Sequence, residues 1–355
     1  MAGSTAAPGA GTAPMRITAL TCVKNEGPFL LEWVAYNRLI GVTDFLIYSN
    51  DCTDGTDALL EALAPAGVVH LPNPATGGRN YQMQAYRDAA TRPLIRGSDW
   101  VWVADVDEFL NIHAGGGTIP ELIAACGAPQ AISANFRFFA NAGVERFEDR
   151  PVIAQFTRTH NPDIWSDQTA IEVKTLVHRG FPLRYYGVHR PYAQRGKEHG
   201  LRWSDGSGRP VPAAFARGED RRRKLKFPAR GARRLASLNH YALRSLESYI
   251  VKNDRGDANR VNRVFDTRYW QERNDAAMED RSILRHLPAL EAEMARLKAL
   301  PGVGALHERA VAAHRARAAD LLARPEGREM RAALLAAPAV PPAEAEVIAL
   351  IGAAG

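Results

Sequence analysis

The chain has 355 residues and a formal net charge of +6, with 46% hydrophobic and 24% charged residues. That balance reads as a soluble globular protein of one large domain or two smaller ones, and it excludes a disordered or fibrous chain. No apolar run approaches the roughly 20 residues of a membrane-spanning helix.

The first fourteen residues, MAGSTAAPGAGTAP, have no basic start and no apolar stretch. They read as a disordered leader over 1–14 rather than a signal peptide. Cys22, Cys52 and Cys126 match no disulfide or metal spacing, which fits a reducing cytoplasm.

Regular structure is expected from Met15. MRITALTCVKN reads as a strand, and Pro28 then suits a first helical turn, leading FLLEWVAYNRLI to a stop at Gly41. DFLIYSN reads as a strand, DALLEALAPAG as a short helix, VVHLPN as a strand, NYQMQAYRDAA as a helix and WVWVADV as a fourth strand. This alternation predicts a doubly wound parallel sheet, with ligands beyond the carboxyl ends of its strands. Those ends are VKNEG, SNDCTDG, LPNPATGGRN and DVDEF, all polar.

Beyond Leu110 the pattern changes. TIPELIAACG reads as a helix, and AISANFRFFA, AIEVKTLVHRG and LRYYGVHRPY read as strands of a mixed or antiparallel extension that would hold an acceptor. From Ser245 the chain reads as helical: SLESYIVKNDRG, then MEDRSILRHLPALEAEMARLKALPG, then Ala/Leu/Arg-rich helices to about residue 350. A boundary is expected within 275–300.

The acids that follow the fourth strand, Asp105, Asp107 and Glu108, need a partner, because neighbouring carboxylates raise one another's pKa and resist burial. Two carboxylates one residue apart at a strand end can share a hard cation, Mn²⁺ or Mg²⁺, which also binds a diphosphate. A basic stretch, RRRKLKFPARGARR over Arg221–Arg234, reads as a solvated loop or as a contact for an anionic partner such as a membrane face. No nucleic-acid-binding motif is present, so nucleic acid is not an expected partner.

KNEGPFLLEWVAYNRLIGVTDFLIYSNDCTDGT, DVDEFL and LNHYALRSLESYIVKNDRG together resemble the bacterial glycosyltransferase family 2-like proteins, related to family 92. The resemblance runs from about Met15 to Arg285. It implies a GT-A-like, doubly wound mixed sheet with a Rossmann-like nucleotide-binding half and an acceptor half. The expected organisation is a glycosyltransferase domain over 15–285 and a C-terminal helical region over 286–355.

The resemblance also implies an inverting, metal-dependent transfer from a nucleotide-sugar, UDP-sugar before GDP-sugar. The acceptor would be a glycan, a lipid-linked precursor or a protein, met in the cytoplasm or at the inner membrane face. Lys24, Asn25 and Glu26 match the loop over the nucleotide, and Asp51 the nucleobase contact; Arg79 and Gln84 are further nucleotide candidates. Asp105 would face ribose and metal, and Asp107 and His240 would ligate the metal. Lys174, Lys252 and Arg255 match positions that neutralise the diphosphate. The base that accepts the hydroxyl proton is the least determined role, assigned to His189 or Asp167.

Two rival readings remain at this point. A nucleotidyltransferase would carry a Gly-rich basic loop after its first strand, where this chain has VKNEGPF. An inactive transferase fold binding polyanions or anionic membrane would show steep salt dependence and indifference to Mn²⁺.

Overall fold

The structure is a computed structural model, and it describes residues 14–74, 80–161, 173–217, 231–256 and 266–338. The first half alternates as the sequence predicts: β1 (Ile17–Val23), α1 (Gly27–Leu39), β2 (Asp44–Ser49), α2 (Thr56–Ala62), β3 (Val68–Pro72), α3 (Tyr81–Ala89), a single turn α4 (Pro93–Arg96) and β4 (Trp100–Val103). These four strands pair in the order β3–β2–β1–β4, all parallel.

The second half adds β5 (Glu108–Ile112), α5 (Ile119–Ala125), β6 (Ala131–Phe138), α6 (Val152–Gln155), β7 (Arg158–Thr159), β8 (Val173–His178), β9 (Leu183–Tyr186), β10 (Pro191–Ala193), β11 (Trp203–Asp205), α7 (Ala213–Arg217) and β12 (Ala236–His240). It closes with α8 (Leu246–Arg255), α9 (Thr267–Gln271), β13 (Met278–Glu279), α10 (Leu287–Lys298), α11 (Val303–Ala323) and α12 (Pro325–Ala336). The main sheet among the described residues has nine strands and continues β4–β8–β6–β12–β5, with β11 beside β6. β8 runs antiparallel to β4 and β6, β12 parallel to β6, and β5 antiparallel to β12. The fold is thus mixed α/β, with a parallel half joined to a mixed half.

Four local expectations are corrected. Residues 108–112, read with the acidic turn, form a fully buried edge strand, because their partner β12 lies far away in sequence. LNH ends that partner strand rather than merely preceding a helix. LRYYGVHRPY is not one strand: Gly187 donates to the Arg190 carbonyl at 2.9 Å and turns the chain into a hairpin of β9 and β10 outside the main sheet. The helix expected to begin at Met278 begins at Leu287, since β13 pairs with β7 and a 3-10 turn, Ser282–His286, intervenes.

Helix α1 is buried over Gly27–Asn37, which explains a sequence apolar on every side. The sheet covers one face, and Leu290, Leu297, Val303 and Val311 from α10 and α11 join the same core. Trp33 Nε1 donates to the Glu108 carbonyl at 3.3 Å and Tyr36 Oη to the Leu110 carbonyl at 2.9 Å, so α1 fixes the strand that follows the acidic turn. A second cluster, including Leu246, Tyr249, Ile250, Trp270, Ala318, Leu321 and Leu334, packs α8 against α9, α11 and α12.

Candidate active site

The loops after β1, β2 and β3 end in turns that need left-handed residues: Asn25 has φ 51°, Asp51 44° and Asn80 79°. Asn and Asp tolerate that region better than most residues. The first two loops are stitched together. Thr53 N–H donates to Asn25 Oδ1 at 2.7 Å, and Asp54 accepts from Gly27 N–H at 3.1 Å and Thr56 N–H at 2.9 Å. Asn73, after β3, donates to Asn50 Oδ1 at 3.0 Å.

The acids find their partners in cations drawn from distant segments. Asp105 Oδ2 meets Lys174 Nζ at 2.9 Å, and its Oδ1 accepts from Gln82 Nε2 at 3.0 Å. Glu108 Oε2 lies 3.4 Å from the same ammonium and accepts the Asp105 N–H at 2.8 Å. Asp107 Oδ2 meets Lys252 Nζ at 2.7 Å and His240 Nε2 at 3.5 Å. Below them, Glu26 is ion-paired with Arg244, at 2.9 Å, and with Arg255. Arg255 also donates to the carbonyls of Lys24, at 2.5 Å, and Asn25, at 2.7 Å.

These environments pull the carboxyl groups apart. Burial pushes Asp107 up, but Lys252 and His240 outweigh it and hold it well below the usual carboxylate range. Burial raises Glu108 well above that range; Lys174 opposes the shift, and Asp105 and Asp107 add to it. Glu26 is lowered, because Arg255 and Arg244 overcome its burial. Burial lowers His240 despite Asp107, which favours the neutral imidazole a metal needs.

Among the described residues, Asp107, Glu108 and His240 offer ligand atoms that all lie within 4.8 Å of one another. Two carboxylates and a neutral imidazole suit a divalent cation. His240 is clasped between Phe136 and Phe138, with ring centroids 4.8 and 5.4 Å away, and its buried Nδ1 has no hydrogen-bond partner. This donor set fits Mn²⁺ or Mg²⁺.

The structure therefore brings Asp107 and His240 together as the resemblance implies, and adds Glu108, which was visible in DVDEF but given no role. Asp105 is turned instead towards Lys174 and Gln82. Lys174 is fully buried, its ammonium engaged by the two acids rather than exposed towards a phosphate. Arg255 points inward to Glu26. Gln84 is exposed, because two helical residues turn about 200° and Gln82 occupies the inner face.

Asp51 lies exposed at the rim, and Lys24 is half-buried in the first loop. His189 is half-buried, with Nδ1 3.3 Å from the Val173 carbonyl and its ring 6.2 Å from Phe136, which also touches His240. Arg79 and Asp167 lie outside the described residues, as does 221–230 of the basic stretch. Arg233 and Arg234 are described, and they donate to the carbonyls of Phe136 and Ser207. Sequence reasoning missed Arg244, whose left-handed φ of 55° folds a buried guanidinium onto Glu26; no spacing in the sequence marks it.

The model of glycosyltransferase family 92 matches residues 19–199, just over half of the chain. The chain belongs to glycosyltransferase family 92. A family 92 protein of Ricinus communis is 33% identical over 106 residues, 30% of this chain and 19% of that protein. One of Oryza sativa subsp. japonica is 29% identical over 91 residues, 26% of this chain and 15% of that protein. The aligned segment thus spans less than a fifth of these curated relatives.

Among solved structures, glucosyl-3-phosphoglycerate synthase from Mycobacterium tuberculosis, in complex with Mg²⁺ and uridine-diphosphate, aligns at TM-score 0.27 and 17% identity, over 46% of this chain and 57% of that one. Its complex with Mn²⁺, uridine-diphosphate and glucosyl-3-phosphoglycerate aligns at TM-score 0.28 and 16% identity, over 49% and 62%. At these scores the likeness is weak, and membership of family 92 rests on the sequence match. No helix among the described residues is long and apolar enough to cross a membrane.

Proposed function

We propose that this family 92 chain is a metal-dependent glycosyltransferase that moves a sugar from a nucleotide-sugar to an acceptor hydroxyl with inversion. The observation that carries the reading is the cluster of Asp107, Glu108 and His240, set where the acidic turn after β4 enters β5 and β12 ends beside it. UDP-sugar is the donor favoured by the resemblance of the first two loops. A glycan, lipid-linked precursor or protein supplies the hydroxyl, in the cytoplasm or at the inner face of a membrane.

Asp107, Glu108 and His240 would hold the cation, and the imidazole ligand favours Mn²⁺ over Mg²⁺. When bound, the cation supplies neutralisation of the charge that builds on the departing nucleoside diphosphate. The loops at Lys24–Glu26 and Asp51 bind and orient the nucleotide, and Asp105, fixed by Lys174 and Gln82, faces its ribose. His189 is the base we assign among the described residues. A tautomer that donates from Nδ1 to the Val173 carbonyl leaves Nε2 as the basic nitrogen that takes the hydroxyl proton.

The test is a thermal-shift panel of UDP, GDP, CDP and dTDP, each with Mn²⁺, Mg²⁺ or EDTA. A diphosphate at 100 times its Kd adds about 2.7 kcal/mol to stability. Stabilisation by one nucleotide, dependent on metal and lost in Asp107→Ala, is the expected result. No shift with any nucleotide refutes the proposal.

A further inference from the structure

Each acid around the acidic turn already faces a cation without a metal. Glu26 is held by Arg244 and Arg255, Asp105 and Glu108 by Lys174, and Asp107 by Lys252. Four acidic side chains thus face four permanent cations. A divalent cation on Asp107 and His240 adds two positive charges, and one of the four is already in contact with Asp107. The Lys252 ammonium touches Oδ2, the same oxygen that faces His240 Nε2. Like charges that close repel strongly, so the cation and this ammonium compete for one carboxylate.

The other cations cannot yield. Lys174 is sealed in the core, Arg255 is fixed by Glu26 and two carbonyls, and Arg244 by Glu26 and the Val106 carbonyl at 3.3 Å. Lys252 differs in chemistry and place. Its point charge rides on a flexible four-carbon stem. It sits in the last turn of α8, its side chain 15% exposed, and its other contacts include the Ala242 carbonyl at 2.9 Å.

We infer that Lys252 is an exchangeable counter-ion: it occupies Asp107 in the metal-free protein, and when the cation arrives its ammonium transfers to the donor diphosphate. The inference rests on the metal-dependent nucleotide site proposed above. No covalent bond changes; one ion pair is exchanged for another. Metal alone then binds weakly, because it displaces the ammonium from Asp107 and brings no anion in exchange. Metal and nucleoside diphosphate together bind cooperatively, because the diphosphate receives the displaced ammonium, and the coupling is reciprocal.

The test titrates Mn²⁺ alone, UDP alone, and UDP at saturating Mn²⁺ into wild type, Lys252→Met and Lys252→Arg. Calorimetry reports both ligands, and electron paramagnetic resonance reports free Mn²⁺. UDP is replaced by whichever diphosphate the thermal-shift panel selects. Lys252→Met is expected to bind Mn²⁺ alone about tenfold tighter and UDP with Mn²⁺ about tenfold weaker, the range of typical coupling energies. Lys252→Arg keeps the charge on Asp107 and is expected to bind Mn²⁺ as weakly as wild type.

These opposite signs are the signature, because a lysine that merely shapes the site would weaken both ligands when removed. Mn²⁺ affinity that is unchanged or reduced in Lys252→Met overturns the inference while leaving the proposed function standing. Wild type that binds no nucleotide with metal overturns the proposed function itself, before any variant is compared. Should Lys252→Met prove unfolded by circular dichroism, Lys252→Gln carries the same comparison.

Discussion

Lys174 is a buried charge whose removal has a calculable cost. Its ammonium is fully buried, 3.4 Å from a Glu108 carboxylate that is itself 1% exposed. Stripping one partner from a buried pair costs about 3–5 kcal/mol. Asp105, at 2.9 Å, is the closer anion and does most to keep the ammonium charged, although a third of its side chain meets solvent, which screens the interaction. Lys174→Met, which keeps most of the stem volume, is expected to lower the unfolding free energy by about 3–5 kcal/mol, or Tm by about 10 °C.

The deficit also has a predicted pH dependence. Burial already raises the pKa of Glu108, and losing Lys174 raises it further. A raised carboxyl pKa gives stability that is lost as pH rises through the folded-state value, so the deficit against wild type must be larger at pH 8 than at pH 5. Urea unfolding of both proteins at the two pH values measures it. A deficit below about 1 kcal/mol at pH 8, or one that shrinks as pH rises, refutes the reasoning.

Three further outcomes are expected. Burial lowers both His160 and His314 to about 3, below the ordinary histidine value of about 6.5, so stability present above that value is lost as pH falls towards 3. His314→Phe, which can keep the contacts with Phe29 and Phe147, should flatten that loss in unfolding measured from pH 7 to pH 4. His240→Ala and Glu108→Gln should each weaken Mn²⁺ binding at least about tenfold by calorimetry, while His189→Ala leaves it unchanged and lowers turnover. Arg255→Met leaves Glu26 with Arg244 as its remaining arginine partner and releases two loop carbonyls; a loss of about 3 kcal/mol in chemical unfolding, with weaker nucleotide binding, is expected.

The parallel half of the fold was legible because its signals are local: apolar runs of strand length, helical spacing between them, and Pro28 and Gly41 as punctuation. The mixed half was not, because its pairings are long-range. EFLNI becomes a strand through LASLNH, over a hundred residues later, and nothing in either stretch names the other. The same distinction governs the site. Asp107 stood out because three acids follow an apolar strand. Its cation, Lys252, and the base of the neighbouring loop, Arg244, arrive on a helix and a turn whose placement depends on packing with α11 and α12. Gln84, the expected residue, faces solvent while Gln82 reaches Asp105, because a helix's phase against the sheet cannot be read from the helix alone.

The acidic turn joins two strands that are not neighbours. β4 and β5 have three strands between them, so in a flat sheet they would stand about 19 Å apart at the usual strand spacing. Residues 104–107 connect them, and the Glu108 N–H closes on the Asp105 carbonyl at 3.0 Å. A chain so folded reaches no more than about 14 Å from Val103 to Glu108. The sheet has to curl until its last edge comes back towards its middle, and the turn acts as a taut strap across the gap. Asp107, Glu108 and His240 ride together on the ladder of β5 with β12, so lengthening the strap by one residue would relax the curl and carry all three away from Asp105 as a unit, without altering any of them.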